Sequence, residues 1–269
     1  MSQLDAHLIR GELLDASNER LESLELFETI ASTNTYLMAK PAPTAGHCHV
    51  AIAELQTSGR GRHWRRWVSP RLAGLSMSIA YSFAITPGGL PSLTLAVGVA
   101  VADALAKLGI EGVSLKWPND LVARDRKLGG ILTETQSGSG DGVTVVIGIG
   151  INMRLPDNFD VGVRSEWSTD PIDLSHLVET VPKHESVAAA IVNSLLAVID
   201  TFESSGFAAF TDDWSQLDWL AGRTIRVENN GDSTVGVASG VDATGRLLIA
   251  TDQGETSVLS GSVVLEPGS

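Results

Sequence analysis

Two short windows of the chain combine basic residues with glycines, a composition expected of a site for an anionic ligand. The window 60–71 holds five of the 19 basic residues, and the window 116–127 holds four more. Glycine amides and guanidinium groups bind carboxylate or phosphate oxygens at close range. The protein as a whole is acidic, with a formal net charge of −13. Charge runs are usually solvated faces, but this concentration beside apolar strands favours a small anionic ligand.

The first window contains GRGRHWRRW at 59–67. Its glycines would let the backbone approach a ligand, and Arg60 and Arg62 could bind anionic oxygens as bidentate donors. Its two tryptophans could stack on a nucleobase. The spacing is neither GxGxxG nor a Walker loop, so it indicates neither of those nucleotide-binding folds. Taken alone, the segment is equally consistent with a surface loop of solvated arginines.

The second window lies within LKWPNDLVARDRKLGGIL at 115–132. Its Pro-Asn-Asp run predicts a tight turn directly after a strand. Lys116 lies at the end of that strand, while Asp120 could hold Mg²⁺ or orient an amine. Lys127 precedes a strand with two adjacent glycines, which permit close approach of a ligand. A lone lysine is ordinarily a solvated surface residue, but one in this position within an acidic protein favours a role in the site.

Composition limits the class of protein. A length of 269 residues with 43% hydrophobic residues predicts one large or two modest domains. The sequence pI of about 4.8 argues against a general nucleic-acid binder. The apolar run 93–102 is stopped by Asp103, and the first residues lack the apolar centre of a signal peptide, so we expect a cytoplasmic protein with no membrane partner. The single cysteine, Cys48, excludes an intramolecular disulfide and is predicted to be a small core residue.

Hydrophobic periodicity predicts the elements that must position these windows. A polar helical segment should come first, and Ser32-Thr33-Asn34 is a typical start of a later helix. Strands are predicted at 24–30, 49–55, 75–83, 113–117, 127–136 and 143–153, and helices at 90–108, 186–204 and 207–216. A turn at 137–142 should separate two of the strands. Short, closely spaced strands after residue 218 predict a small all-β barrel.

Four motifs together resemble those of the biotin–protein ligases, also called biotin–acetyl-CoA-carboxylase ligases. They are STN, GRGRxxRxW, KWPNDL followed by KLGGIL, and GIGINM, and they occur in the family's order. The resemblance covers roughly residues 27–267. It implies an α+β fold: a class II synthetase-like catalytic domain at 1–217, with a mixed, largely antiparallel sheet and packed helices, and a small SH3-like β-barrel at 218–269.

The resemblance also implies a two-step reaction. The carboxylate of biotin attacks the α-phosphate of ATP with Mg²⁺, giving biotinyl-5′-AMP and pyrophosphate. The ε-amine of a lysine on a biotin carboxyl carrier domain of an acyl-CoA carboxylase then attacks the acyl-adenylate. The first window, residues 60–71 and called the basic loop from here on, would thus cover a carboxylate and a phosphate chain. Stabilising their developing charge is the main contribution that such a site can make.

Matching positions imply the site residues. Those around biotin would be Ser32, Thr33, Asn34 and Gln56. Those over its carboxylate and the phosphate would be Arg60, Gly61 and Arg62. For Ser32-Thr33-Asn34 the simpler role of a helix cap remains compatible with ligand binding.

The catalytic residues implied by the resemblance are Lys127, Arg62 and Asp120. Lys127 would bridge the reacting carboxylate and α-phosphate, and Asp120 would contact Mg²⁺ or orient the incoming amine. The remaining nucleotide-binding residues would be Lys116 and Asn119 at the phosphates, Asn152 at the nucleotide and Trp67 near the adenine. The alternative for Trp67 is a surface anchor for its loop.

The chain departs from the family's pattern at two places. His63-Trp64 stand where relatives have an Arg/Lys-Gly pair, which bears on the loop's stiffness, and only about 26 residues precede the first strand, too few for a winged helix-turn-helix. We therefore expect no specific DNA binding, and the oligomeric state is left open.

A lipoate or octanoate ligase is the nearest alternative function, although its RRxxGGG-like loop is absent. A non-catalytic biotin-binding regulator is the second, and Lys127 and Asp120 argue against it.

Overall fold

Runs of β-branched and small residues between positions 21 and 152 form seven strands that pair into one mixed sheet. The computed structural model describes residues 3–136, 141–159, 170–229 and 231–266, with only the backbone of Trp64. The strands are β1 (Leu21–Phe27), β2 (Cys48–Ala53), β3 (Gly74–Phe83), β4 (Val113–Lys116), β5 (Asp120–Ala123), β6 (Arg126–Gln136) and β7 (Val143–Asn152). Their spatial order is β1-β2-β3-β7-β6-β5-β4, and only β1 and β2 are parallel among these neighbours.

Helices cover both faces of this sheet. They are α1 (Ala6–Glu12), α2 (Asp15–Arg20), α3 (Thr33–Ala39), α4 (Leu93–Lys107), α5 (His184–Ser205) and α6 (Thr211–Leu217). The long apolar helices α4 and α5 pack on each other and join the main hydrophobic core. The short helix α3 lies on β2, β3 and β7 and forms a separate small cluster with residues that include Ala51, Ala80 and Val146.

The register of the strands separates large from small residues, because directly opposed residues share a face and successive residues alternate between faces. The core face, under α4 and α5, carries large apolar residues, among them Met77, Ile79, Ile147 and Ile149, each at most 2% exposed. The open face carries Ser76, Ser78, Gly130, Gly148 and Gly150 along the middle of the sheet. Small residues on one face of a buried sheet leave space, and the candidate site occupies that space.

The C-terminal strands form a second, antiparallel sheet. They are β8 (Thr224–Asn229), β9 (Asp232–Val241), β10 (Leu247–Thr251), β11 (Gly254–Val258) and β12 (Ser262–Leu265), in the order β11-β10-β9-β8-β12. The buried Trp117 donates its indole N–H to the carbonyl of Gly245 at 3.1 Å, which ties this sheet to the turn between β4 and β5. The connecting segment also pairs with the edge of the large sheet, through a bridge between Leu115 and Asp218.

Two helical segments, Leu90–Lys107 and His184–Ser205, are long and apolar enough to cross a membrane by length and composition alone. Of the apolar stretch in each helix, 67% in the first and 61% in the second is buried within the protein. Burial in the core therefore accounts for their composition.

The predicted strands and long helices are confirmed, with several differences in extent. The strand β5 was not predicted, because charged residues follow it directly, and the strand predicted at 24–30 begins earlier, at Leu21. The helix predicted at 207–216 is a 3₁₀ turn followed by α6, and the closely spaced strands predicted after residue 218 are β8 to β12. The predicted turn at 137–142 lies mostly outside the described residues.

Candidate active site

A cavity of about 640 Å³ lies on the open face, between the basic loop and the end of the C-terminal sheet. It is lined by every residue that the sequence analysis assigned to the site: Ser32, Thr33, Asn34, Gln56, Arg60, Gly61, Arg62, Trp67, Lys116, Asn119, Asp120, Lys127 and Asn152. The structure thus brings the separated motifs together at one place. The volume of the cavity is in the range found for small-molecule binding sites.

One end of the cavity is polar and closely hydrogen-bonded. Ser32 caps α3 by accepting a hydrogen bond from the amide of Thr35. The amide of Thr33 donates to Gln56 Oε1 at 2.8 Å, and the hydroxyl groups of Thr33 and Ser78 lie 2.6 Å apart. Ser78 is fully buried and was not predicted as a site residue. The helix cap and the cavity lining are therefore roles of the same segment.

Asn34 continues this network towards the basic loop. Its amide accepts from the Ser78 hydroxyl at 2.5 Å and donates to Glu134 at 2.9 Å. Glu134 also forms an ion pair with Arg60. A side chain at Gly148 would overlap the Asn34 amide, so the glycine is required for this contact. The residue Glu134, which the sequence analysis did not single out, thereby links α3 to the loop.

The basic loop lies across the cavity. Backbone hydrogen bonds within the loop join Gly61 to Arg65 at 2.7 Å and Trp67 to Gly59 at 3.0 Å. The Trp67 ring packs directly on Gly150, where an added Cβ would lie 2.5 Å from its Cε2 atom. Trp67 is therefore placed both to line the cavity and to anchor the loop. Among the described residues, its buried indole N–H has no hydrogen-bond partner.

Four cations that line the cavity, Lys116 and the arginines at 62, 65 and 66, have no ion-pair partner within the described part of the chain, and Arg62 and Lys116 are the least exposed of the four. Burial lowers the pKa of Lys116, although the charge of Asp120 acts in the opposite direction. Burial likewise lowers the pKa of Arg62, again opposed by Asp120. Buried cations without a counterion are costly, and an anionic ligand would remove that cost. Both residues are thus available to bind one.

Lys127 and Asp120 form an ion pair of 2.6 Å on the open face. Strict alternation along β6 would place the side chain of Lys127 on the other face of the sheet from Gly130. However, β5 and β6 shift register between Leu121 and Val122. Such a bulge re-aims side chains. The Lys127 amine consequently lies 3.6 Å from the position that a Cβ of Gly130 would take, and both residues line the cavity.

The amide groups of Asn119 and Asn152 hold backbone in place as well as lining the cavity. Asn119 donates to the carbonyl of Ile131 at 2.8 Å. Asn152, 4% exposed, donates to the carbonyls of Ile172 at 2.9 Å and Lys127 at 3.3 Å. Both amides are thus used to support the strand that carries Lys127.

The metal prediction concerns Asp120 alone. No group of three or more His, Cys, Asp or Glu residues with metal-binding geometry occurs in the described ranges. Mg²⁺ is commonly held by one or two carboxylates together with substrate phosphates, so it does not require such a group. The carboxylate of Asp120 at the cavity fits that limited role.

Cys48 takes no part in the site. It is free and fully buried, as predicted for a small core residue. Burial raises the pKa of its thiol to about 12. It is therefore a structural residue with little thiolate character.

Comparisons with known proteins agree with this architecture. A sequence model of the biotin/lipoate A/B protein ligase family matches residues 26–152, and a model of the biotin protein ligase C terminal domain matches residues 221–265. The chain is 34% identical over 230 residues to the bifunctional ligase/repressor BirA of Escherichia coli (strain K12), a match covering 86% of this chain and 70% of that relative.

A second relative is matched over almost its full length. The chain is 31% identical over 267 residues to the biotin–[acetyl-CoA-carboxylase] ligase of Mycobacterium tuberculosis, which covers 97% of this chain and 95% of the relative. The fold superposes on a biotin protein ligase from Aquifex aeolicus in complex with biotin and ATP, with a TM-score of 0.73, 25% identity and coverage of 92% and 99%. The chain therefore belongs to the biotin protein ligase family.

Proposed function

We propose that the protein is an ATP-dependent biotin–protein ligase that acts in two steps. An oxygen of the biotin carboxylate attacks the α-phosphate of ATP, the bond from that phosphorus to the bridging oxygen breaks, and pyrophosphate leaves. The ε-amine of a carrier lysine then attacks the acyl carbon of biotinyl-5′-AMP, AMP leaves, and the nitrogen loses a proton to give an amide. The observation that carries this proposal is the meeting of the separated motifs at one cavity with Arg62 and Lys116 available for an anion.

The polar end of the cavity would bind the ureido ring of biotin. Ser32, Thr33, Asn34 and Gln56 supply hydroxyl and amide groups that suit its N–H and C=O groups. Ser78 already holds Thr33 and Asn34 in place, so little ordering is needed when the ring binds.

The cationic part of the cavity would bind the reacting groups. Arg60, Gly61 and Arg62 would contact the biotin carboxylate and the phosphates, as the loop lies directly over the cavity. The buried Nε of Arg60 has no partner among the described residues, and an acceptor on the ligand would satisfy it. Lys127 would stabilise the charge that develops between the carboxylate and the α-phosphate, which makes it the principal catalytic residue.

The remaining residues would serve the nucleotide and the metal. Lys116 and Asn119 would contact the phosphates, and Asn152 would face the nucleotide. Trp67 would stack near the adenine. Mg²⁺, which supplies charge neutralisation at the phosphates when bound, would be held by Asp120. In the second step Asp120 would orient the lysine amine.

We further propose a division of the chain at 217/218. Residues 1–217 would form a class II synthetase-like catalytic domain, supported by the largely antiparallel sheet of seven strands. Residues 218–269 would form an SH3-like barrel, supported by five short antiparallel strands and by the match of residues 221–265 to a separate domain model.

The partner would be a biotin carboxyl carrier domain of an acyl-CoA carboxylase, in the cytoplasm, with neither specific DNA nor a membrane as a partner. The relative from Mycobacterium tuberculosis is named for the carboxylase on which it acts. The net charge of −13 supports the expectation that the protein binds no specific DNA, since specific DNA binding needs a basic surface.

Transfer of biotin to a carrier domain tests the function. The protein would be incubated with biotin, ATP, Mg²⁺ and a carrier domain, and the carrier's mass would be followed. We expect the gain of one biotinyl group, and no gain when the acceptor lysine is replaced by arginine. An unchanged carrier mass under conditions in which a known ligase labels it would contradict the proposal.

A further inference from the structure

We propose that Asp125, Trp219 and Arg223 form a clamp that positions Lys127 and thereby couples the C-terminal part of the chain to the chemistry in the cavity. None of the three clamp residues lines the cavity, so they would act as positioning residues. The proposal rests on the proposed function, since Lys127 is assigned there to formation of the adenylate.

The hairpin that carries Lys127 has an unfavourable turn. Strands β5 and β6 are joined through Arg124 and Asp125, which have φ values of +48° and +59°. Two successive left-handed residues are typical of a tight hairpin turn, in which glycine or asparagine is preferred. Arginine and aspartate are both strained in that region, arginine more than aspartate. The turn therefore needs support from outside the hairpin.

The clamp supplies that support at the side chain of Asp125. Its Oδ1 atom accepts hydrogen bonds from Trp219 Nε1 at 2.8 Å and from Arg223 at 2.9 Å. The hydrogen bond from Trp219 and then that from Arg223 lower the pKa of the carboxyl group. Since the side chain of Asp125 is 70% exposed, these contacts add little to global stability, and their effect is on local geometry.

Trp219 is itself fixed against the edge of the large sheet. Its amide donates to the carbonyl of Leu115 at 2.9 Å, and the preceding residue, Asp218, pairs with Leu115 as an isolated bridge. The guanidinium of Arg223 stacks on the indole, 4.2 Å from the ring centroid, and the amine of Lys116 lies 5.6 Å from the same centroid. One indole thus contacts both the turn and a cation that lines the cavity.

The turn and the bulge are separated by very few residues. Lys127 follows Asp125 by two positions, and it pairs with Val122 at the register shift that aims it towards Asp120. The backbone of Lys127 is also held by hydrogen bonds with Asp170 and Ile172, so relaxation of the turn would loosen the bulge from one side without releasing the strand. The amine of Lys127 would then spend less time on the open face. Loss of the clamp should therefore slow the chemical step while the fold and the ligand-binding residues remain in place.

Substitutions at Asp125 separate geometry from charge. Asp125→Ala removes the clamp and leaves the strained turn, so we expect kcat of biotin-dependent pyrophosphate exchange to fall about tenfold, with KM for biotin changed much less. Asp125→Gly also removes the clamp but tolerates the turn, so most of the rate should return. Trp219→Phe removes the indole donor and part of the ring on which Arg223 stacks, and its kcat should lie between those of the two Asp125 variants. Asp200→Ala, which removes an exposed pair of 3.0 Å with Arg20, serves as the matched control.

A second readout does not depend on activity. The reactivity of the Lys127 amine towards acetic anhydride, measured by mass spectrometry, should rise severalfold in Asp125→Ala as its pairing with Asp120 loosens, and stay near wild type in Asp125→Gly and Asp200→Ala. In a Lys127→Ala background, Asp125→Ala should lower the exchange rate no further. Equal Lys127 reactivity in Asp125→Ala and wild type would overturn the clamp. Absence of biotin-dependent exchange in the wild type would instead count against the proposed function, and the labelling would still decide on the clamp.

Discussion

The two faces of the seven-stranded sheet are built from the same strands and have opposite compositions. On the core face, Ile147 and Ile149 of β7 are buried under the long helices. On the open face, the intervening Gly148 and Gly150 leave room for Asn34 and for a tryptophan ring. The difference shows that stability comes from filling one face with side chains, whereas the candidate site comes from leaving them out of the other.

The small residues of the open face bring functional groups close to the backbone. Ser78, opposite Gly148, reaches Thr33 and Asn34, and Gly130 leaves open the space in front of Lys127. Large residues at these places would fill the cavity without adding any contact that a ligand could use. The two faces should therefore respond differently to the same kind of substitution.

The largest effect is expected from removing the central cation of the open face. Lys127→Ala should lower the rate of adenylate formation by about 3–4 kcal/mol in activation free energy, the scale of losing one transition-state donor, while biotin binding weakens less. Biotin-dependent pyrophosphate exchange and calorimetric binding of biotin measure the two effects. Exchange near the wild-type rate would remove Lys127 from the chemical step.

The basic loop that lies over the open face should change conformation when ligand binds. Four arginines at 60, 62, 65 and 66 repel one another, and we expect the empty loop to open, then to close over biotin and the adenylate. At a ligand concentration of about 100 times Kd, trypsin cleavage within the loop should slow by about a hundredfold, or roughly 2.7 kcal/mol. A model trypsin substrate present in the same tube controls for inhibition of the protease. Equal loop cleavage with and without biotin and ATP would show that the loop is not a ligand-ordered cover.

Adding one methyl group to the open face should cost ligand binding. In Gly150→Ala the new Cβ would lie 2.5 Å from the Trp67 ring, so the ring must move. Overpacking of this kind typically costs about 1–3 kcal/mol, expected here as weaker binding of ATP by calorimetry. The control is Gly88→Ala, where a Cβ would meet nothing within 4 Å. Unchanged ATP affinity in Gly150→Ala would mean that Trp67 does not contribute to the nucleotide site.

Removing one methylene from the core face should have the smallest effect, and it should change stability rather than activity. Ile147→Val should lower the free energy of unfolding by about 0.5–1.5 kcal/mol, measured by urea denaturation, with pyrophosphate exchange unchanged. Val235→Ala, at a position that is 51% exposed on the C-terminal sheet, is the control and should change stability by less than about 0.5 kcal/mol. Loss of exchange activity in folded Ile147→Val would show that the two faces are not independent.

Much of this arrangement is predictable from sequence because it repeats with the period of a strand. The alternation at 75–83 and 143–153 predicts two central strands, and the motifs predict which residues line the cavity. The assigned roles of those residues stay predictions. The strand β5 was missed because it is four residues long and ends in the charged run that begins at Arg124.

Other features depend on residues far apart in the chain. Ser78 meets Thr33 across 45 positions, and Glu134 meets Arg60 across 74, so no local pattern marks either residue. The direction of the Lys127 side chain depends on a bulge, which strict alternation along the strand does not predict. The contacts of Trp219 with Asp125 likewise join distant segments and follow only from the packed structure.

The most direct test of the account is a crystal structure of the protein with a non-hydrolysable analogue of biotinyl-5′-AMP. The account predicts the ligand on the open face, with its ureido ring beside Thr33 and Gln56, its phosphate-like group within hydrogen-bonding distance of Lys127 and Arg62, and the basic loop closed over it. A ligand bound away from the open face, or one that leaves Lys127 paired only with Asp120, would contradict the assignment of the site.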